Sequence, residues 1–261
     1  MNFKYLLTAR DGSIERLTLN RPEVRNAFNE DMIAELIDWA EAVAGDSSVR
    51  VVLLDGAGKT FSAGADVQWM AKTAAYTEAQ NIADAEQASH MFAAINRLPV
   101  PVVGRIHGGA FGGGTGLAAC CDIVVAADTA LFGFTEVRLG IVPAVISPFV
   151  LEKIGRSAAR ELFLTGAAFT AARACEIGLV HAVVPETALD ATVAGYVDHF
   201  LAGGREAIAA AKQLIAAVSS APRDQHTALT ARAIATRRVS AEGQEGLKAF
   251  LEKRKPRWSR P

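Results

Sequence analysis

Around Asp11-Gly12 the chain carries β-type residues, Ile14, Leu17 and Leu19 among them, and residues 3–20 predict a hairpin that Arg21-Pro22 brings to an end. Asn29 caps a predicted helix whose apolar positions, Ile33, Leu36, Ile37, Ala40 and Val43, recur at helical spacing up to the stop signal Gly45. Val49 to Leu54 is apolar but for Arg50, a pattern suited to a strand covered on both faces. A loop over 57–66 follows, then helical sequence to about Asn96. The order then returns: a strand at Val100–Ile106, a glycine loop at Gly108–Gly114, a short helix at Thr115–Cys121 and a strand at Ile123–Ala127. The first 140 residues therefore alternate strand, glycine-containing loop and helix with no linker, which predicts one α/β core. After Ile146 the pattern turns helical, with segments at 147–154, 158–164 and 171–177 and helical sequence from Glu186, broken at Gly203-Gly204 and Pro222. The expected architecture is an α/β core followed by a helical C-terminal segment, divided as 1–200 and 201–261.

Composition narrows the functions available to such a chain. With 261 residues it can bury a core without disulfide or metal staples. Lys plus Arg is 27 and Asp plus Glu is 28, for a net charge of -1, so the basic footprint of a nucleic-acid binder is missing. Aromatic residues make up only 7% against 50 alanines, which predicts a core close-packed from small side chains. Cys120, Cys121 and Cys175 do not make a disulfide framework and point to a reducing compartment. Met1 to Tyr5 lacks the apolar stretch of a secretory signal, and no run of 18 apolar residues exists, so the expected location is the cytoplasm, away from membranes.

Three segments carry candidate chemistry. Thr60-Phe61-Ser62-Ala63-Gly64-Ala65-Asp66 follows a buried strand and precedes a helix, so small residues there let a ligand approach unpaired N–H groups. The alternative is a tight loop with Asp66 as a helix cap. Gly108-Gly109-Ala110-Phe111-Gly112-Gly113-Gly114 also lies between strand and helix; it fits neither the dinucleotide fingerprint nor a Walker A loop, and close packing of helix on sheet is its plain alternative. Two such loops in one domain could aim two N–H donors at one point, an oxyanion hole suited to a thioester carbonyl becoming an enolate. A proton carrier is then needed. Glu136, after a short apolar strand, would have its pKa raised by an apolar setting, unless it is a surface residue paired with Arg138.

Together these segments resemble the enoyl-CoA hydratase/isomerase (crotonase) superfamily. The resemblance runs through Arg21-Pro22 with Arg25-Asn26-Ala27, Phe61 to Asp66, Gly112-Gly113-Gly114 to Cys121-Asp122-Ile123, Glu136 with Leu139-Gly140 and Pro143, and the closing Ala249 to Lys255. It implies an α/β spiral of strand-strand-helix turns with a helical C-terminal trimerisation segment, as a homotrimer or a hexamer of paired trimers. It also implies that the N–H groups of Ala65 and Gly113 hold the thioester oxygen. Ala63, Asp66, Val67, Gln68 and Gly112 would line the substrate. Arg25 and Ala27 would lie near the phosphates and adenine of CoA, and Phe250 and Lys253 would reach the nucleotide from a neighbouring subunit. Glu136 would match the second catalytic glutamate of the family. CoA enters as part of the substrate, and no metal or redox cofactor is implied.

The sequence departs from the family pattern twice. Gly116 stands where two-glutamate hydratases carry their first glutamate. Ala144-Val145-Ile146-Ser147-Pro148-Phe149 replaces a Gly-Gly-Thr-Gln stretch and resembles the branch acting on methylglutaconyl-CoA and related branched or carboxylated esters. The expected activity is reversible hydration of a 2-enoyl-CoA in fatty-acid or amino-acid breakdown. The alternatives are a Δ3,Δ2-enoyl-CoA isomerase using a single glutamate, and a catalytically silent acyl-CoA-binding protein. Among other residues, Cys120 and Cys121 read as core, His107 as a packing or loop residue, Asp122 as a tie to the next strand, and Arg237 and Arg238 as solvated or intersubunit charges. Trp69 and Met70 read as acyl-pocket lining or helix core. His90, His181, His199 and His226 show no metal spacing.

Overall fold

The computed structural model describes residues 3–259. Strands β1 (Leu6–Asp11) and β2 (Ile14–Leu19) form the expected antiparallel hairpin, turned at Gly12 with φ +58°. Helix α1 (Glu30–Gly45) begins where the Asn29 side chain accepts the Met32 N–H, and it buries Met32, Ile33, Leu36, Trp39, Ala40 and Val43. Every residue of β3 (Val51–Gly56) is buried.

The single helical stretch expected up to Asn96 is two helices, α2 (Val67–Thr73) and α3 (Glu78–Asn96). The break comes at Thr77, whose hydroxyl accepts the Gln80 N–H while the Gln80 side chain accepts the Thr77 N–H. Next come β4 (Val102–Ile106), β5 (Gly109–Phe111), α4 (Gly113–Cys120), β6 (Ile123–Ala127) and β7 (Leu131–Gly133). Part of the expected glycine loop is therefore the strand β5, and α4 starts two residues earlier than Thr115. Helix α5 (Ser147–Thr165) is interrupted at Gly155, where φ is 67° and ψ 173°, so it joins two of the expected short helices. The chain ends through β8 (Ala168–Thr170), α6 (Ala171–Glu176), β9 (Ala182–Val184), α7 (Leu189–Ala202), α8 (Arg205–Ser220), α9 (His226–Val239) and α10 (Ala241–Leu251).

Six strands make one sheet in the order β1-β2-β3-β4-β6-β9, parallel from β2 onward; β5, β7 and β8 make a second sheet. Helix α7 packs on β3, β4 and β6, and α3 bridges α1 and α4. The core between them is dominated by Val, Ile, Leu and Ala. Cys120 and Cys121 are buried in it, as expected, and burial pushes both thiols up, Cys121 to about 12; Cys175 is exposed. Asp122 ties two elements, its carboxylate accepting the Val102 N–H at 2.8 Å and pairing with Lys212 of α8 at 2.7 Å.

The C-terminal helices α8, α9 and α10 pack on one another. They are tied back to the core by Arg50, which donates to the carbonyls of Leu201, Gly203 and Trp258, and by the Trp258 indole, which donates to Ala202 O. This segment leaves large apolar side chains in the open, among them Val239 at 79%, Phe250 at 81% and Leu251 at 79% exposure. No helix among the described residues is long and apolar enough to cross a membrane.

Candidate active site

The loop over 57–66 is gripped from inside by Asn26. This residue is buried, sits at φ +55°, a conformation that asparagine tolerates better than most side chains, and donates from Nδ2 to the carbonyls of Ala57, Thr60 and Phe61 at 2.8, 2.8 and 3.1 Å. Its Oδ1 accepts the Arg21 N–H at 2.9 Å. The Ser62 hydroxyl donates to Asn26 O and accepts the Gly64 N–H.

Backbone donors along the loop are then accounted for one by one. Phe61 N–H goes to His107 O, Ser62 N–H to Gly109 O, Ala63 N–H to Arg25 O and Asp66 N–H to Phe28 O. Phe28 in turn donates to Gly64 O, closing a parallel bridge with Ala65 that turns the Ala65 N–H to the opposite side. The Ala65 N–H has no acceptor among the described residues, and Ala65 is exposed.

The second loop supplies a matching donor. Gly112, at φ 50° and ψ -120°, turns the chain from β5 into α4, a conformation that requires glycine, and its own N–H is held by Gly133 O at 2.8 Å. Thr115 steadies the turn by donating to Ala110 O at 2.6 Å. Gly113, the first residue of α4, has no backbone acceptor among the described residues, as first-turn N–H groups lack one within their own helix. The two loops touch: a Cβ on Gly64 would lie 2.6 Å from Phe111 O and 3.3 Å from Gly113 N, so only glycine fits there. The free N–H groups of Ala65 and Gly113 thus belong to adjoining backbones.

Glu136 opens a 3-10 turn, Glu136–Leu139, separated from β7 by Phe134 and Thr135. Its carboxylate hangs over Gly112: a Cβ on that glycine would lie 3.3 Å from Glu136 Oε1. Oε2 is buried and has no hydrogen-bond partner among the described residues. Burial raises the pKa of this carboxyl, against the opposing hydrogen bond from its own backbone N–H. The surface pair with Arg138 does not form. The Arg138 side chain lies instead along Gly166, whose Cβ would meet it at 3.1 Å.

The other predicted residues divide into inward and outward groups. Asp66 faces inward. Its carboxylate caps α2 by accepting the Gln68 N–H at 2.7 Å and pairs with Arg21 at 2.8 Å. Burial pushes that carboxyl up, but the Gln68 N–H and the Arg21 guanidinium outweigh it and hold the pKa below the usual range. Ala27 is buried and its carbonyl accepts from Arg21. Ala63 is half-buried, while Val67, Gln68 and Arg25 are exposed, Arg25 at φ +57°. Phe250 and Lys253 are exposed at the end of the chain, and no hydrogen bond or ion pair among the described residues joins them to the loops around Ala65 and Gly113. Trp69 is half-buried against the core and donates to Asp84 at 3.1 Å. Among the described residues no three His, Cys, Asp or Glu side chains cluster in a way that could hold a metal ion.

Sequence reasoning missed the framework behind the donors: the grip of Asn26, the hydroxyl of Ser62 and the hydroxyl of Thr115. A short polar residue inside an otherwise apolar or glycine-rich segment was the available signal, because a buried polar side chain must find backbone partners.

The chain matches the enoyl-CoA hydratase/isomerase family over residues 9–261. A putative enoyl-CoA hydratase of Thermus thermophilus is 31% identical over 253 residues, 97% of this chain and 100% of the relative. The 2,3-dehydroadipyl-CoA hydratase of Escherichia coli is 32% identical, over 96% of this chain and 97% of its own. The crystal structure of an enoyl-CoA hydratase from Shewanella pealeana superimposes with a TM-score of 0.95 at 38% identity, covering 98% of this chain and 96% of that one. With two loops of free N–H groups and a half-buried glutamate on a crotonase fold, the chain belongs to the enoyl-CoA hydratase/isomerase family and is an enzyme of that type.

Proposed function

We propose that this enzyme adds water reversibly and syn to a 2-enoyl-CoA thioester. The observation that carries the reading is the Glu136 carboxyl with its buried, unpartnered Oε2, set over Gly112 next to the Gly113 N–H. In this reading the N–H groups of Ala65 and Gly113 hold the thioester oxygen and stabilise the enolate as it forms. One carboxyl serves both partners of the addition: an oxygen of Glu136 takes a proton from the water attacking C3, and the carboxyl passes a proton to C2. A pKa raised by burial favours such two-way traffic near neutral pH. Substrate CoA would run along Ala65 to Gln68 and past Arg25 and Ala27, and Phe250 and Lys253 of a neighbouring subunit would close its nucleotide end in a homotrimer or hexamer. The exposed apolar side chains of the C-terminal helices support an assembly of that kind. No metal or redox cofactor enters the scheme, and the cytoplasm is its setting.

A branched or carboxylated acyl group, as in methylglutaconyl-CoA, is the preferred substrate in this reading. Its support is the segment Ala144 to Phe149 after Pro143, and the similarity to a relative named for a dehydroadipyl thioester. A panel of straight-chain, branched and carboxylated enoyl-CoA esters tests it, read by loss of enoyl-thioester absorbance and gain of one water in mass. Turnover of straight-chain esters alone would overturn the substrate preference.

One observation favours a second reading, Δ3,Δ2-isomerisation. Gly116 is packed against Ile146, so the site holds no second carboxylate at that position, and a proton moved from C2 to C4 needs only one. The same readouts separate the two, because hydration of a 2-enoyl-CoA adds one water in mass, whereas isomerisation of a 3-enoyl-CoA creates enoyl-thioester absorbance without a change in mass. A silent acyl-CoA-binding protein would leave every ester unchanged.

A further inference from the structure

We propose that His107 is a positioning residue for this reaction: its imidazole holds the 57–66 loop at Gly58 and thereby fixes the direction of the Ala65 N–H. The proposal rests on Ala65 being a donor to the thioester oxygen.

His107 follows the last residue of β4, is only 7% exposed, and uses both ring nitrogens. Nδ1 lies 3.2 Å from Arg105 Nη1, and Nε2 lies 2.9 Å from Gly58 O. A guanidinium can only donate, so Nδ1 must accept; Nε2 then carries the hydrogen and donates it to the Gly58 carbonyl. Arg105 is itself held by Asp190 of α7 at 2.5 Å. The tautomer of His107 is thus set by a polar chain running from α7 through β4 into the loop, in the way that a partner on one ring nitrogen sets the task of the other.

The main chain of the same residue makes a second attachment, since His107 O accepts the Phe61 N–H at 3.1 Å. Between these two points the loop rides directly on Gly108, where φ is +64° and a Cβ would lie 1.9 Å from Lys59 O. Asn26 holds the same stretch through Ala57, Thr60 and Phe61. The loop is therefore clamped between two side chains over residues 57–61, with the imidazole contact at Gly58 seven residues upstream of the free N–H. With both nitrogens engaged, His107 has no lone pair or proton to spare for chemistry, which distinguishes it from a general base.

The test compares His107→Leu, which keeps bulk but offers no donor, with His107→Gln, whose amide can reach Gly58 O. Misplacing a catalytic donor by a fraction of an ångström raises the barrier more than it weakens ground-state binding, so kcat should fall about 10- to 100-fold in His107→Leu while KM moves less than about threefold. His107→Gln should recover most of that loss. Equal losses in both variants, a loss confined to KM, or wild-type turnover in His107→Leu would overturn the proposal. If His107→Leu does not fold, ¹⁵N chemical shifts of the wild-type imidazole decide: a protonated Nε2 and bare Nδ1 are expected, and the opposite tautomer would overturn the clamp. Wild-type turnover of the enoyl-CoA panel is measured alongside, so an inactive wild type would count against the proposed function and not against His107 alone.

Discussion

Ile146 fills the space that any side chain at position 116 would need: a Cβ on Gly116 would lie 2.1 Å from Ile146 Cγ2 and 2.7 Å from its Cβ. The departure from the two-glutamate pattern is therefore a packing relationship between α4 and the start of α5, made by two residues at once. Restoring a carboxylate at 116 would require Ile146 to leave.

Gly116→Ala tests this directly. Overpacking of this kind costs about 1–3 kcal/mol, enough to outweigh the roughly 1 kcal/mol that alanine gains over glycine in a helix. Urea unfolding should show the loss, and combining the change with Ile146→Ala should cost less than the sum of the two single changes. Strict additivity would mean that the two side chains do not compete for one space.

Glu136→Gln keeps the shape of the side chain and removes its proton chemistry. Turnover should fall by roughly 10²- to 10⁴-fold with acyl-CoA affinity retained, measured by calorimetry beside steady-state kinetics. Near-normal turnover would remove Glu136 from the mechanism.

The same carboxyl has a stability signature. Burial raises its folded-state pKa above the ordinary 4.5, so the folded chain binds more protons than the unfolded one between those two values. Its contribution to stability is then greatest below 4.5 and is lost as pH rises through the raised value. The neutral Gln escapes this loss. The Tm of Glu136→Gln relative to wild type should therefore rise as pH increases through that window and level off at neutral pH. A variant less stable than wild type at neutral pH would contradict the buried, unpartnered Oε2.

Ala65→Pro removes an N–H that no described residue accepts. The fold should hold, while kcat falls on the scale of a lost oxyanion donor, about 10²- to 10³-fold. Gly113→Val is a poorer probe, because a Cβ there would lie 3.1 Å from the Phe28 ring and press on the core before it reached a ligand.

Phe250→Ala should leave the Tm of the chain nearly unchanged, since the ring is 81% exposed. If Phe250 completes a neighbour's CoA site, KM should rise with kcat held. An unchanged KM would remove it from the substrate site.

Much of this architecture was legible along the chain, and the failures have physical causes. The runs at β3, β4 and β6 are buried on both faces and so read as plain apolar strands. Strands β5, β8 and β9 have three residues each, too few to express a period of two. The break between α2 and α3 lacks glycine and proline; its only mark is Thr77 with Gln80 three positions on, the spacing of a capping box. At the site, Glu136 and the two small-residue loops announce themselves locally. The reason for Gly116 does not, because Ile146 lies thirty positions away. His107 reads only as a packing or loop residue, because nothing nearby in sequence shows that the Gly58 carbonyl comes within its reach.

The sulfur atoms of the chain are divided in a way that makes unfolding visible. Cys120 and Cys121 sit in the wall of the core with thiols that burial keeps protonated, whereas Cys175 is open to solvent. A thiol reagent meeting the folded protein should modify Cys175 at once. The adjacent pair at the C-terminal end of α4 reacts only when that end lifts from its neighbours, at a rate set by opening of the interior. Since α4 also presents Gly113, the slow phase of such labelling, followed with and without an acyl-CoA, would clock how often the Gly113 helix comes loose and whether an added thioester slows that opening.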